Sequence, residues 1–112
     1  MIKKQFRLRE NEVKKVLKKW KPFFSYGLVL NKIKSRLPYN RFAIILWSKS
    51  VNNNVTRNFF RRKFYSLLQD LRTHETWDFV FVVKKTTKLD RRDKNSILSF
   101  KKDMDFLITK NK

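Results

Sequence analysis

Between Val51 and Phe64 the chain reads Val51-Asn52-Asn53-Asn54-Val55-Thr56-Arg57-Asn58-Phe59-Phe60-Arg61-Arg62-Lys63-Phe64, amide side chains followed by a block of cations. A guanidinium stays charged and offers forked donors that match the oxygens of a phosphate. An asparagine at a helix start can cap the exposed N–H groups and present its amide to a sugar or base. No Asp or Glu interrupts the chain from Asn52 to Gln69. These residue types at this density point to binding of a polyanion, and Lys49, Asn53, Arg57, Asn58, Arg61, Arg62 and Lys63 are the candidate contacts. A merely solvated helix face is the blander reading of any charge run; the lack of interleaved acids weighs against it.

Catalysis by side chains has far less to work with. A nucleophile, a base and an orienting group must converge, yet the chain has no Cys and a single His, His74, between Thr73 and Glu75 in a polar stretch. Asp103 and Asp105 are two apart and face different sides of a helix. There is no phosphate-cradling glycine loop and no His/Cys pattern for a metal. The expectation is therefore no catalytic residue and no resident metal site.

Charge supports the binding reading. The 29 Lys and Arg against nine Asp and Glu give a net +20 on 112 residues, well beyond the magnitude of about 2 to 8 that suffices for solubility in a small domain. Such self-repulsion destabilises a compact chain unless a polyanion relieves it, and nucleic acid is the expected partner. A membrane surface fits less well, because no apolar run reaches the roughly 18 residues needed to span a bilayer and the cations are spread along the chain. The N-terminus carries charge but no apolar stretch or small-residue cleavage site, so no secretory signal is expected, and the cytoplasm is the expected compartment.

The elements that must position these groups follow from periodicity. At this length one core is expected, a single domain over residues 1–112. Val13, Val16, Leu17 and Trp20 fall on one helical face, predicting a first helix over residues 10–20. The runs Tyr26 to Ile33 and Arg41 to Ser48 read as two antiparallel strands joined by a turn or hairpin loop. Trp77 to Val83 is apolar on both alternating faces beyond Asp78, which predicts a central strand covered on both sides. Between them, Phe60, Phe64, Leu67, Leu68 and Leu71 mark a helix over residues 53–72. At 100° per residue, Arg57, Asn58, Arg61, Arg62 and Tyr65 share an adjoining arc of about 140°. A final helix is expected to open with Asp90 as N-cap and to bury Ile97, Phe100, Met104, Leu107 and Ile108.

The stretch Ser48-Lys49-Ser50-Val51-Asn52-Asn53-Asn54-Val55-Thr56-Arg57-Asn58-Phe59-Phe60-Arg61-Arg62 resembles the signature of the bacterial ribonuclease P protein family, in which a Ser-Lys-Lys strand end leads through a Gly-containing turn into Arg-Asn-Arg-x-Lys-Arg. Arg57 and Asn58 match its first two positions, and Arg61 and Arg62 its later Lys-Arg pair. The likeness extends to Arg7-Leu8-Arg9-Glu10-Asn11-Glu12 and to the order of elements. Phe59 replaces the second signature arginine, Asn52 the glycine and Ser50 the second lysine. Phe59 either stacks on a base or pads the helix.

The resemblance implies an α/β (α+β) fold like the second domain of ribosomal protein S5: a single two-layer domain with a four-stranded mixed sheet, about three helices on one side, and a left-handed crossover through the basic helix. The fourth strand would come from near Phe23 and Phe24 or from Lys49 to Val51. The resemblance further implies a subunit of a ribonucleoprotein hydrolase, an endonuclease that matures the 5′ end of tRNA. Hydrolysis falls to ribonuclease P RNA with Mg²⁺ held mainly by that RNA; the partners are that RNA and precursor tRNA, with no stable protein partner required. In the family two aromatics of the first helix line a cleft for the 5′ leader; their counterparts are Val13 and Leu17, so Trp20, Tyr26 and Trp47 become the candidate stacking residues, with burial in the core the alternative for each. A ribosomal or ribosome-associated RNA clamp without turnover is the alternative, while a DNA-binding helix protein lacks a second helix in turn-related spacing.

Overall fold

The computed structural model describes residues 4–18, 22–47, 50–51, 53–69, 71 and 73–111. In chain order it holds α1 (Glu10–Lys18), β1 (Phe23–Phe24), β2 (Leu28–Lys34), β3 (Arg41–Ile45), α2 (Asn54–Leu68), β4 (Trp77–Val83) and α3 (Lys94–Lys110). The four strands form one mixed sheet in the order β1-β2-β4-β3. The expected α+β architecture is therefore present, and of the two candidate fourth strands it is Phe23–Phe24 that pairs.

β4 takes the central place because it is apolar on both sides. Phe79, Phe81 and Val83 join Leu28, Leu30 and Phe42 in the main core, while Val80 joins Ala43 and Val16 beneath the opposite face. A strand that buries both faces gains most away from the edge. β2 runs antiparallel and β3 parallel to β4, with Leu28 opposite Val83 and Arg41 opposite Asp78. This corrects the expected β2–β3 hairpin: the two strands are not neighbours, since β4 lies between them. Their connection, residues 35–40, instead wraps the start of β4, where Asn40 accepts the Trp77 N–H at 2.7 Å and Thr76 donates its hydroxyl to the Leu37 carbonyl at 2.8 Å. Two strand spacings, about 10 Å, are too far for a tight turn.

α2 and α3 supply the second layer. Phe60 and Phe64 are fully buried, and their rings meet Phe100 and Phe81 edge-on at 5.3 and 5.1 Å. Phe100, Met104 and Leu107 are buried as expected; Ile97 and Ile108 are half-buried at the margin. The helices do not all lie on one side: α1 packs Val16 onto the other face of the sheet, with Val13 and Leu17 half-buried beside it. The α3 N-cap also differs from the expectation. Asp93 caps, accepting the Asn95 N–H at 3.0 Å, whereas Asp90 accepts the Arg92 N–H in the preceding turn, a local bond that Asp readily makes outside helices.

Candidate nucleic-acid interface

α2 follows β3 and leads into the parallel partner β4, so its start stands at the sheet end where β3 finishes. Asn53 is the N-cap, its backbone extended at φ −145° and ψ 160° and its side chain accepting the Thr56 N–H at 2.8 Å. The next asparagines act on arginines. Asn54 accepts from Arg57 at 2.9 Å, and Asn58 accepts from Arg61 at 3.2 Å, each pair three residues apart and thus on one helix face. Arg57 also donates to the Val51 carbonyl at 3.3 Å, bracing the helix start.

These arginines are not neutralised. The ion pairs among the described residues join Lys14 to Glu10, Lys34 to Glu75, and Arg41 to Glu12 and Asp78. None involves Arg57, Arg61 or Arg62. Lys63, by contrast, lies about 200° around the helix from Arg61 and is not part of the same stripe. Phe59 is half-buried, edge-on to Phe60 at 5.2 Å and packed on the main core, so it pads the helix.

The stripe extends beyond the helix in a way sequence spacing does not reveal. Arg7 and Leu8 run along the outer edge of β3, where the Leu8 N–H donates to the Phe42 carbonyl at 2.9 Å. A cleft of about 890 Å³ opens between this segment, α1 and α2, with Lys4, Arg7, Arg9, Lys15 and Arg61 on its walls. Its one lining carboxylate, Glu12, is already engaged by the Arg9 N–H and by Arg41. Burial pushes the Tyr65 phenol above its ordinary value while Arg7 and Arg61 pull it the other way, consistent with both cations reaching the same floor. Like charges gathered without a counter-ion favour an anion between them. The signal for this was the Arg7-Leu8-Arg9 run, but not its convergence with α2.

The aromatic candidates separate into two places. Val13 and Leu17 sit under α1. Tyr26, 94% exposed, and Trp47, 37% exposed, stand at the sheet end where β4 finishes, on either side of Lys84 and Lys85. The Lys85 ammonium is 5.0 Å from the Trp47 ring centroid, and that of Lys84 is 5.7 Å from the ring of Phe24, itself 62% exposed. Lys84 and Lys85 were not singled out by the sequence, and Phe24 was expected only as part of a strand. Trp20 and Lys49 lie outside the described residues. His74 is exposed, and among the described residues no three His, Asp or Glu side chains gather as metal ligands. No described helix is long and apolar enough to cross a membrane.

Residues 2–110 match the family described as Ribonuclease P. No curated protein matches the chain. Among solved structures, the RNase P protein of Staphylococcus aureus is similar with a TM-score of 0.76 at 15% identity, over 93% of each chain. A mutant of the Staphylococcus aureus RNase P protein with defective mRNA degradation activity is similar with a TM-score of 0.75 at 16% identity, over 95% of this chain and 87% of that one.

Proposed function

Since this chain belongs to the ribonuclease P family, we propose that it is the protein subunit of a ribonuclease P ribonucleoprotein, binding the RNA subunit and the 5′ leader of precursor tRNA to promote 5′ maturation. The observation that carries this reading is the asparagine-oriented arginine face of α2, free of acidic partners and continuous with the cationic cleft at Arg7 and Arg61. Its partner in this reading is the folded RNA subunit, whose phosphates take the forked donors.

The leader, an unpaired strand, calls for stacking surfaces and cations rather than a rigid helix face. In this reading it passes the α1 side of the sheet and meets Tyr26 and Trp47 with Lys84 and Lys85 between them, while Val13 and Leu17 pack α1 onto the sheet. Among the described residues no three carboxylates gather as metal ligands: Glu12 and Asp78 hold Arg41, Glu10 and Glu75 pair with lysines, Asp93 caps α3, and Asp90 and Asp103 accept backbone N–H groups. In this account Mg²⁺ would be held mainly by the RNA subunit, where it would supply the nucleophile-activating chemistry. The protein's part is to hold two RNAs in register, which lowers the entropic cost of their encounter.

The test is 5′ cleavage of a precursor tRNA by a bacterial ribonuclease P RNA at low Mg²⁺, with and without the protein. Stimulation over RNA alone is the expected result. No stimulation would favour a ribosomal RNA clamp instead, and cleavage by the protein without RNA would overturn the division of labour.

A further inference from the structure

Arg41 is the centre of an ion-pair group at the wall of the cationic cleft, where its charge is already matched by two carboxylates. Its Nε and Nη2 donate to the two carboxylate oxygens of Asp78 at 3.0 and 2.8 Å, and its Nη1 donates to Glu12. The three side chains are 18%, 7% and 26% exposed, in the order Arg41, Asp78, Glu12. Arg41 and Asp78 face each other across the β3–β4 ladder, whereas Glu12 is in the first turn of α1. The other oxygen of Glu12 accepts the Arg9 N–H at 2.9 Å. One guanidinium thus ties α1 to the two strands beneath it.

α1 has little else to fix its pose. It is nine residues long with only Val16 fully buried, shorter than the roughly 12 to 15 residues at which an isolated helix becomes even marginal. Val13, Val16 and Leu17 hold it by apolar contact, which is non-directional and tolerates sliding and rotation. A forked, charge-assisted bond is directional. Two of the nine acids of a +20 chain are committed to this one arginine.

We propose that Arg41, with Glu12 and Asp78, is a positioning residue that sets the height and rotation of α1 over the sheet, and so the shape of the α1 side along which the unpaired 5′ segment passes. The inference rests on the leader path proposed above. It places the control of that surface on side chains that are paired with one another.

The experiment reads both the pose and its consequence in the reconstituted holoenzyme. The chain has no cysteine, so the pair K18C and K34C, both at exposed positions, places one spin label on α1 and one on β2. Glu12→Gln keeps the shape and an acceptor for the Arg9 N–H; Arg41→Lys keeps a cation but loses the fork. Each is expected to broaden the label-to-label distance distribution. Each should also lower the ratio by which a leader improves KM, relative to a leaderless substrate, by between about ten- and a hundredfold, the effect of a misplacement near 1 Å. A purely structural loss would change leadered and leaderless substrates alike and leave the ratio unmoved. An unchanged distance distribution in both variants overturns the proposal. So does an unchanged ratio beside a broadened distribution. If the unaltered protein shows no leader dependence, the leader path fails, and with it the proposed consequence, while the distances still report whether Arg41 fixes α1.

Discussion

Replacing Arg61 and Arg62 together by glutamine removes two cations whose side chains, among the described residues, bond only to Asn58, one to its amide oxygen and one to its carbonyl. Neither arginine braces the fold, unlike Arg57 with its bond to Val51, so the melting temperature should change little. Each phosphate contact contributes about 0.7 to 0.9 to the slope of log affinity against log salt, so the pair should flatten the slope by about 1.4 to 1.8. Across a fourfold rise in KCl, from about 50 to about 200 mM, the unaltered protein should then lose about ninefold more affinity for the RNA subunit than the variant does. Fluorescence anisotropy with labelled RNA across that range measures both slopes. A variant that keeps its fold and the full slope would refute the claim that this face meets the phosphates.

Other expectations follow from single contacts. Asn53→Ala removes the α2 cap, and chemical denaturation should show a loss of about 1 kcal/mol. Phe60→Ala hollows the core beneath the basic face and should cost about 3 to 5 kcal/mol by the same assay. Tyr26→Ala should leave stability unchanged but weaken binding of a leader-bearing precursor by about 1 to 3 kcal/mol, as titration against a leaderless control would show. Burial pushes the Glu12 carboxyl up, but the Arg9 N–H and Arg41 outweigh it and hold it below the usual carboxylate range. A lowered folded value means stabilisation in full above the unfolded value near about 4.3, lost as pH falls through the folded value. Denaturation midpoints between about pH 6 and about pH 3 should therefore fall less steeply for Glu12→Gln than for the unaltered chain.

What the residue order reveals is what neighbours in sequence decide. The i, i+4, i+7 spacing of Phe60, Phe64 and Leu67 marks α2 and its arginine arc, because a helix folds on local bonds. The two-sided apolar run of β4 gives its central position because both of its faces must be covered. Pairing of β2 and β3 was not legible, since which strand inserts between them depends on burial summed over the sheet. The α3 cap is expected three residues early, at Asp90, because Asp90 and Asp93 both suit a helix start; Ser96, accepting the Asp90 N–H at 2.9 Å, holds Asp90 in the turn and leaves the cap to Asp93. The Arg41 group and the approach of Arg7 to Arg61 join residues far apart in the chain, and no spacing rule reaches them.

A photocrosslinker attached in turn at S66C, one turn beyond Arg62 on the exposed side of α2, and at L98C, exposed on α3, tests the central claim most directly in the complex with the RNA subunit. The account predicts strong crosslinking from position 66 and little from position 98. Equal yields, or a preference for position 98, would contradict it.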